Sequence, residues 1–349
     1  MSDNTPVAPV RFGVVGYGFG ARYFHTPLIR SAPECELVGI VTTSDARKAL
    51  VEHDKPGTPT FGSIKALVDA GVEAVAISTP TPTHTEVTEQ ALRLGLAVVC
   101  DKAFALTAGA ARHTVDLAGE RGLVLSPYQN RRWDSDFRTV QKLVADGTLG
   151  TVTRVESRFE RFAPQAGPGP SGAGSLLDFG SHLADQALVL LGPATAVYAE
   201  FRLRENGLDD DVFVALTHAS GARSQLWGSW SQSAPGPRFR VTGTEATYIL
   251  QPSDTQEDAL LAGETPARLG DAWGVEPPAS HGTLYRGLTS DPYPTERGRW
   301  DTFYPAFARA VRGLGPPPVD MRDAINSMTV LDAARLSAQT GAVAPVPSA

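Results

Sequence analysis

Short apolar runs and helix-length amphipathic stretches alternate through the first third of the chain. Strand-like runs fall at Phe12–Val15, Leu37–Thr42, Ala74–Ser78, Ala97–Cys100 and Leu123–Ser126. Helical stretches lie between them, among them Arg22–Ser31, Ile64–Ala70, Glu86–Leu94 and Ala108–Arg121. Strands separated by helices predict right-handed crossovers and a parallel sheet covered on both faces. Gly95 and Gly122 stand where helix C-caps belong, each just before the next strand. After Ser126 the pattern changes. One more helix, Asp134–Ala145, leads from Thr151 into strict alternation, and further strand-like runs follow at Ala196–Arg204, Val212–His218, Ser224–Ser231, Arg238–Thr242 and Thr247–Leu250. Short connections such as Ser220-Gly221 predict hairpins and an antiparallel or mixed sheet. Helices are expected at Leu177–Leu191, Trp300–Arg312 and Arg322–Gln339. Ala163–Gly174 reads as a Pro/Gly-rich loop, Pro266–Pro294 as irregular, Met1–Pro9 as a loose tail and Val343–Ala349 as disordered. The chain thus reads as an α/β protein of two domains, residues 1–128 and 129–349, with the boundary near 127–132.

The totals narrow the function classes. A net charge of −7 gives no basic surface for a nucleic acid or an anionic membrane. No apolar run is long enough to span a bilayer, and the N-terminus lacks the pattern of a signal peptide. Cys35 and Cys100 are the only cysteines, in keeping with a reducing cytoplasm, and neither cysteines nor histidines show metal-ligand spacing.

The chemistry gathers at strand ends. Phe12–Val15 runs into Gly16-Tyr17-Gly18-Phe19-Gly20-Ala21, which fits G-x-G-x-x-A. Gly16 permits the tight turn, Gly18 lets a pyrophosphate approach the backbone, and Ala21 lets the next helix pack closely, so this turn is read as a dinucleotide site. After Ala74–Ser78 comes Thr79-Pro80, where Thr79 or His84 either faces the cofactor or serves only the local turn, with Thr83 capping the next helix. After Ala97–Cys100 comes Asp101-Lys102, in a chain with only four other lysines. Lys102 either sets a compact positive charge beside a developing alkoxide or is a solvated partner of Asp101. After Leu123–Ser126 the segment Pro127–Asp134 is rich in hydrogen-bonding side chains, as a polyhydroxylated ligand or an interdomain hinge would need. Asp178 and His182 share a helix face at i,i+4, as an oriented general base or as a plain ion pair.

Taken together, Gly16–Ala21, Phe24–Leu28, Thr79-Pro80 with His84, Tyr128–Phe137 and Leu177–His182 make the chain resemble, nearly end to end, the glucose–fructose oxidoreductase / inositol dehydrogenase / MocA family of nicotinamide-dependent dehydrogenases. Within it the resemblance is greatest to the NADP-linked scyllo-inositol dehydrogenase subgroup. It implies an N-terminal Rossmann domain, a doubly wound parallel sheet, followed by an α/β domain whose open, mostly antiparallel sheet commonly joins subunits, so a homodimer or homotetramer is expected. It also implies that Lys102, Asp178 and His182 match the family's catalytic Lys, Asp and His. His182, oriented by Asp178, would take the proton of a secondary alcohol while Lys102 steadies the oxyanion and helps seat substrate and cofactor. Tyr128, Asn130, Arg131 and Arg132 would meet a sugar or polyol. Two departures stand out: Asp101-Lys102-Ala103 replaces the usual Glu-Lys-Pro, and the Arg-Trp segment that relatives carry before the Asp–His helix is missing from Ala163–Gly174.

Cofactor choice turns on the end of the second strand, Thr42-Thr43-Ser44 with Asp45 and Arg47. Its hydroxyls and Arg47 suit a 2′-phosphate, so NADP is expected; Asp45 either caps the next helix or is the ribose acid of an NAD site. The leading expectation is a cytoplasmic, NADP-preferring sugar or polyol dehydrogenase. The alternatives are a reductase of a non-sugar carbonyl and a cofactor-sensing binding protein that has lost catalysis.

Overall fold

The computed structural model describes residues 8–165, 167, 173–251 and 254–348. Most of the expected N-terminal tail, residue 166 and residues 168–172 of the Ala163–Gly174 loop therefore lie outside the described residues.

The first sheet is built from β1 (Val10–Val15), β2 (Cys35–Val41), β3 (Thr60–Phe61), β4 (Ala74–Ile77), β5 (Ala97–Cys100) and β6 (Leu125–Pro127), all parallel, in the order β3-β2-β1-β4-β5-β6. β4 and β5 are buried along their whole length, as strands covered on both faces must be. The crossovers carry α1 (Thr26–Ser31), α2 (Asp45–Asp54), α3 (Ile64–Asp69), α4 (His84–Arg93) and α5 (Ala108–Glu120). Strand order reverses between β1 and β4, so their carboxyl ends frame a crevice.

The second sheet has the order β14-β13-β12-β11-β7-β10-β9-β8-β15, with β7 (Val152–Glu160) parallel to β10 (Arg223–Ser229) and every other pair antiparallel. The other strands are β8 (Ala194–Leu203), β9 (Asp209–His218), β11 (Phe239–Gly243), β12 (Thr247–Leu250), β13 (Gly282–Arg286), β14 (Thr289–Tyr293) and β15 (Ala344–Pro345). β9 alternates buried and half-buried positions without a break, so one sheet face is in the core. The opposite face carries Phe213 against Trp227, with Arg158 3.8 Å over the Trp227 ring.

The stretch Pro266–Pro294, expected to be irregular, holds the β13–β14 hairpin, and part of the tail expected to be disordered, Ala344–Pro345, pairs with β8. Both are edge pairings, where prolines are tolerated because their missing N–H faces away from the ladder.

Helices α6 (Ser135–Ala145), α7 (Ser181–Leu191), α8 (Thr255–Leu261), α9 (Pro266–Leu269), α10 (Phe303–Val311) and α11 (Met321–Thr340) complete the chain. Two of them return to the first sheet. Tyr304 and Phe307 of α10 pack on Phe12 of β1, at ring-centroid distances of 5.5 and 5.9 Å. Ile325, Met328 and Leu331 of α11 join Val98 and Val115 in one buried cluster that also holds Val212, Val214 and Leu226 of the second sheet. One apolar core therefore runs through both sheets and fixes how β5 and α7 face each other.

Candidate active site

The turn after β1 has the shape a dinucleotide needs. Gly16 has φ +91°, and a Cβ there would lie 2.6 Å from the Ser78 carbonyl oxygen, so only glycine fits. A Cβ on Gly18 would meet nothing within 4 Å, leaving its backbone open to a ligand. A Cβ on Gly20 would lie 2.7 Å from both Asp101 Oδ2 and Ser78 Oγ; this glycine lets the turn close onto β5. The chain then makes a π-helical turn, Ala21–His25, with Ala21 buried, before α1. Tyr17 points into the core, 3.2 Å from Asp54 Oδ2, so only its backbone is available to a phosphate, while Phe19 is exposed at the cavity mouth.

At the end of β2, Thr42 is buried and Thr43 exposed. Ser44, not Asp45, caps α2, accepting from the Arg47 N–H at 3.4 Å. Asp45 is turned to solvent and paired with Lys48 at 2.8 Å. Arg47 is exposed in the first turn.

Lys102, Asp178 and His182 come together on one cavity of about 250 Å3, which Tyr128, Asn130 and Arg131 also line. Their pairing differs from the i,i+4 expectation. The Lys102 ammonium sits on the Asp178 carboxylate and donates to the Asp178 carbonyl at 3.0 Å. Asp178 lies in a π-helical turn, Leu176–Gly180, ahead of α7; its carboxylate is taken by Lys102, beyond the end of β5, and the His182 ring by Gln129. Nor does Lys102 pair with Asp101, whose carboxylate accepts from the Lys102 backbone N–H at 2.8 Å and from Ser78 Oγ at 3.0 Å. Burial alone would push the Asp101 carboxyl up; His25, with Nε2 3.2 Å away, together with His84 and Lys102, brings it down to about 2. The peptide bond between Lys102 and Ala103 is cis.

His182 is oriented by Gln129 instead. His182 Nδ1 lies 3.0 Å from Gln129 Oε1, and the Gln129 amide nitrogen donates to the Ser181 carbonyl at 3.3 Å. That second bond settles which end of the amide faces the ring. Nδ1 therefore carries the proton and Nε2 is the free base. Burial, with Lys102, Arg131 and Arg238 nearby, holds His182 well below its usual range, so the ring is neutral at neutral pH.

Arg131 is clamped by Asp134 at 3.2 Å and Glu257 at 2.5 Å, and lies over the Phe159 ring at 4.9 Å. Tyr128 is buried against His25, ring centroids 4.2 Å apart, and its hydroxyl has no partner among the described residues. Two expected residues are elsewhere. Arg132 faces away from this cavity and pairs with Asp185 at 2.6 Å and Asp323 at 2.9 Å, beside a separate cleft. His84 does not face the cofactor crevice: it is 1% exposed and both ring nitrogens are taken by backbone carbonyls. Thr79 Oγ1 accepts from the Thr83 hydroxyl at 2.7 Å, which leaves Thr79-Pro80 as a rigid strand end. Beyond Gln129, sequence reasoning missed Arg161, Trp230 and Glu257, which complete the cavity wall. Trp230 stacks on Phe179 at 5.0 Å and Arg161 lies 5.9 Å over it, so an Arg and a Trp reach this wall from the ends of β7 and β10 rather than from Ala163–Gly174.

Comparison with known proteins agrees with this fold. Residues 10–129 match the oxidoreductase family with an NAD-binding Rossmann fold, and residues 137–249 match the GFO/IDH/MocA C-terminal domain. The chain belongs to the Gfo/Idh/MocA family of oxidoreductases. It is 34% identical to the uncharacterized oxidoreductase YdgJ of Escherichia coli (strain K12), over 95% of this chain and 96% of that one. It is 31% identical to scyllo-inositol 2-dehydrogenase (NADP(+)) IolW of Bacillus subtilis (strain 168), over 97% of this chain and 96% of that one. The solved structure of the oxidoreductase yvaA of Bacillus subtilis superposes with a TM-score of 0.91 at 30% identity, covering 99% of this chain and all of that one. The protein is thus an NAD(P)-dependent oxidoreductase. No described helix is long and apolar enough to cross a membrane.

Proposed function

We propose that this enzyme moves hydride between NADP(H) and a secondary alcohol or ketone of a sugar or cyclic polyol. The observation that carries this reading is the convergence of the paired Lys102–Asp178 and a neutral His182 on one cavity beside the Gly16–Ala21 turn. Gly16, Gly18, Gly20 and Ala21 would hold the pyrophosphate, and Thr43, Ser44 and Arg47 the adenosine end. The nicotinamide, when bound, supplies the two-electron chemistry. The chain supplies position, charge and a place for the proton.

In the oxidation direction His182 Nε2 takes the hydroxyl proton as the carbinol carbon gives up its hydride. Gln129 keeps Nε2 free by holding the proton on Nδ1. The Lys102 ammonium, aimed by Asp178, donates to the substrate oxygen as charge builds there. Reduction runs these steps backward. Asn130, Tyr128 and the clamped Arg131 would bond the remaining hydroxyls, and Trp230 offers a flat apolar face for a ring. The name of IolW supports both the polyol and the NADP assignment. At the end of β2 the acid nearest the ribose position, Asp45, is engaged by Lys48, which supports NADP over NAD. The half-exposed face with Phe213 and Trp227 is the surface through which two copies would pair.

The test is absorbance at the reduced-nicotinamide band, with NADP+ or NAD+ and a panel of inositols, aldoses and their ketones. Turnover with a member of the panel supports the proposal; NADPH binding with silence across the panel overturns the sugar or polyol assignment.

A further inference from the structure

His84 opens α4, is 1% exposed, and lies outside the proposed proton path. Its Nδ1 is 2.7 Å from the Ala103 carbonyl oxygen and its Nε2 is 2.8 Å from the Thr79 carbonyl oxygen. A carbonyl can only accept. A neutral imidazole has one N–H, so one of these contacts would set a ring lone pair against an oxygen lone pair at hydrogen-bond distance. Both contacts are satisfied only if both nitrogens carry protons. We infer that His84 is a buried imidazolium that ties the strand end at Thr79 to the backbone just beyond Lys102, and so acts as a positioning residue for that lysine. The inference rests on Lys102 being the oxyanion-binding group of the proposed reaction.

The electrostatics can be weighed. Burial disfavours the cation, and so does its place in the first turn of α4, where the helix dipole is positive. The titratable groups facing the ring are Cys100 at the end of β5 and Asp101 just beyond it. With the Ala103 carbonyl they outweigh burial and lift His84 to about 9. Asp101 stays ionised, held low in part by His84 itself. Cation and carboxylate are therefore mutual supports, and the backbone between them carries Lys102. Because the folded ring binds its proton more tightly than the unfolded one, this support is complete below pH 6.5 and is lost as pH rises through about 9.

Two readouts on the full chain test this without any substrate. The first is the 15N–1H correlation of the histidine rings at pH 7.5, with the His84 signal assigned by its loss in His84→Gln. The proposal expects two protonated nitrogens on this ring, whereas His182 shows one. The second is the 13C signal of Lys102 after reductive methylation, assigned by its loss in Lys102→Arg. In the wild type this signal is expected to shift with the same midpoint as the His84 ring, near pH 9. In His84→Gln it is expected to sit at its high-pH position at every pH, with NADPH affinity unchanged. A singly protonated His84 at pH 7.5, or a Lys102 signal that ignores the His84 titration, overturns the proposal. The wild-type titration decides the matter even if His84→Gln fails to fold. Where the sugar panel shows turnover, His84→Gln should lower kcat by ~10²-fold with little change in the KM for NADPH, the size expected for a misplaced catalytic group. Silence across that panel would count against the proposed function and leave both spectroscopic readouts in force.

Discussion

Lys102 is held twice by one residue, through the Asp178 carboxylate and through the Asp178 carbonyl 3.0 Å from its ammonium. The carbonyl tie belongs to the backbone of the π-helical turn, and the carboxylate tie belongs to the side chain. Lys102→Met should therefore lower kcat by about 10²- to 10³-fold, the size seen when one oxyanion donor is removed. Asp178→Asn keeps the carbonyl tie and should lose less, with kcat rather than NADPH affinity falling. Steady-state kinetics beside NADPH fluorescence titration separates the two terms.

The Gln129–His182 contact sets a pH dependence. His182 is held below its ordinary value of 6.5, so it stays a competent base in moderately acid solution, and the acid limb of the oxidation profile should lie below pH 6.5. Gln129→Glu puts a carboxylate on Nδ1 and should raise the limb by about 1 to 3 pH units. The sign for stability is also fixed: the unfolded ring binds a proton that the folded ring refuses, so this site costs stability as pH falls below 6.5. The pH profile of kcat/KM for wild type and variant checks the first claim, and urea unfolding from pH 8 to 5.5 the second.

Much of this was legible in the chain. Apolar runs alternating with helices and G-x-G-x-x-A were enough for five of the six parallel strands and their crevice, because buried strands and Gly-only turns leave strong local signals; the two-residue edge strand β3, Thr60–Phe61, is too short to leave one. The β13–β14 hairpin was not, because an exposed edge strand such as Thr289–Tyr293 has no buried side to imprint an alternation. Within the site, Asp178 and His182 were expected to pair because i,i+4 neighbours meet on an α-helix, but each took a partner distant in sequence, Lys102 and Gln129, which spacing within one helix does not reveal. Gln129 lay inside the polar segment that was singled out, yet an amide carries no charge signal, so only its contact with His182 showed its place. His84 was visible as a residue but not in its orientation, since a ring can serve a crevice or a core from the same position.

The neighbouring arginines 131 and 132 should separate cleanly by experiment. They sit on a 3₁₀ turn, Asn130–Trp133, where successive side chains point about 120° apart. Arg131 lines the cavity and Arg132 neutralises the buried Asp185. Arg132→Ala leaves that carboxylate unpaired and should cost about 3 kcal/mol of stability at pH 8. Burial already pushes Asp185 up, so without its partner it protonates readily and the loss shrinks toward pH 5. The substrate KM should not change. Arg131→Lys keeps the charge but not the fork clamped between Asp134 and Glu257, so it should raise the substrate KM, which Arg132→Ala does not. Urea unfolding at both pH values, beside kinetics, tells the two roles apart.

Cofactor choice rests on few atoms. Ser44 accepts the cap bond of α2 and keeps its O–H free to donate, so Thr43, Ser44 and the Arg47 guanidinium are the exposed polar groups nearest a 2′-phosphate. The first turn of α2 adds free N–H groups and a positive dipole end, which favour an anion but not a neutral ribose hydroxyl. A charge-assisted hydrogen bond is worth about 1.5 to 3 kcal/mol, or roughly a 10- to 100-fold change in affinity. Arg47→Ala should therefore raise the KM for NADP+ by that factor and leave the KM for NAD+ unchanged, because NAD+ has no 2′-phosphate to lose. Ser44→Ala should cost about 1 kcal/mol through the lost cap and raise the KM for NADP+ by less than Arg47→Ala does, because a neutral donor is lost and not a charged one. A fall in both affinities together in Arg47→Ala would mean that Arg47 supports the turn and not the phosphate.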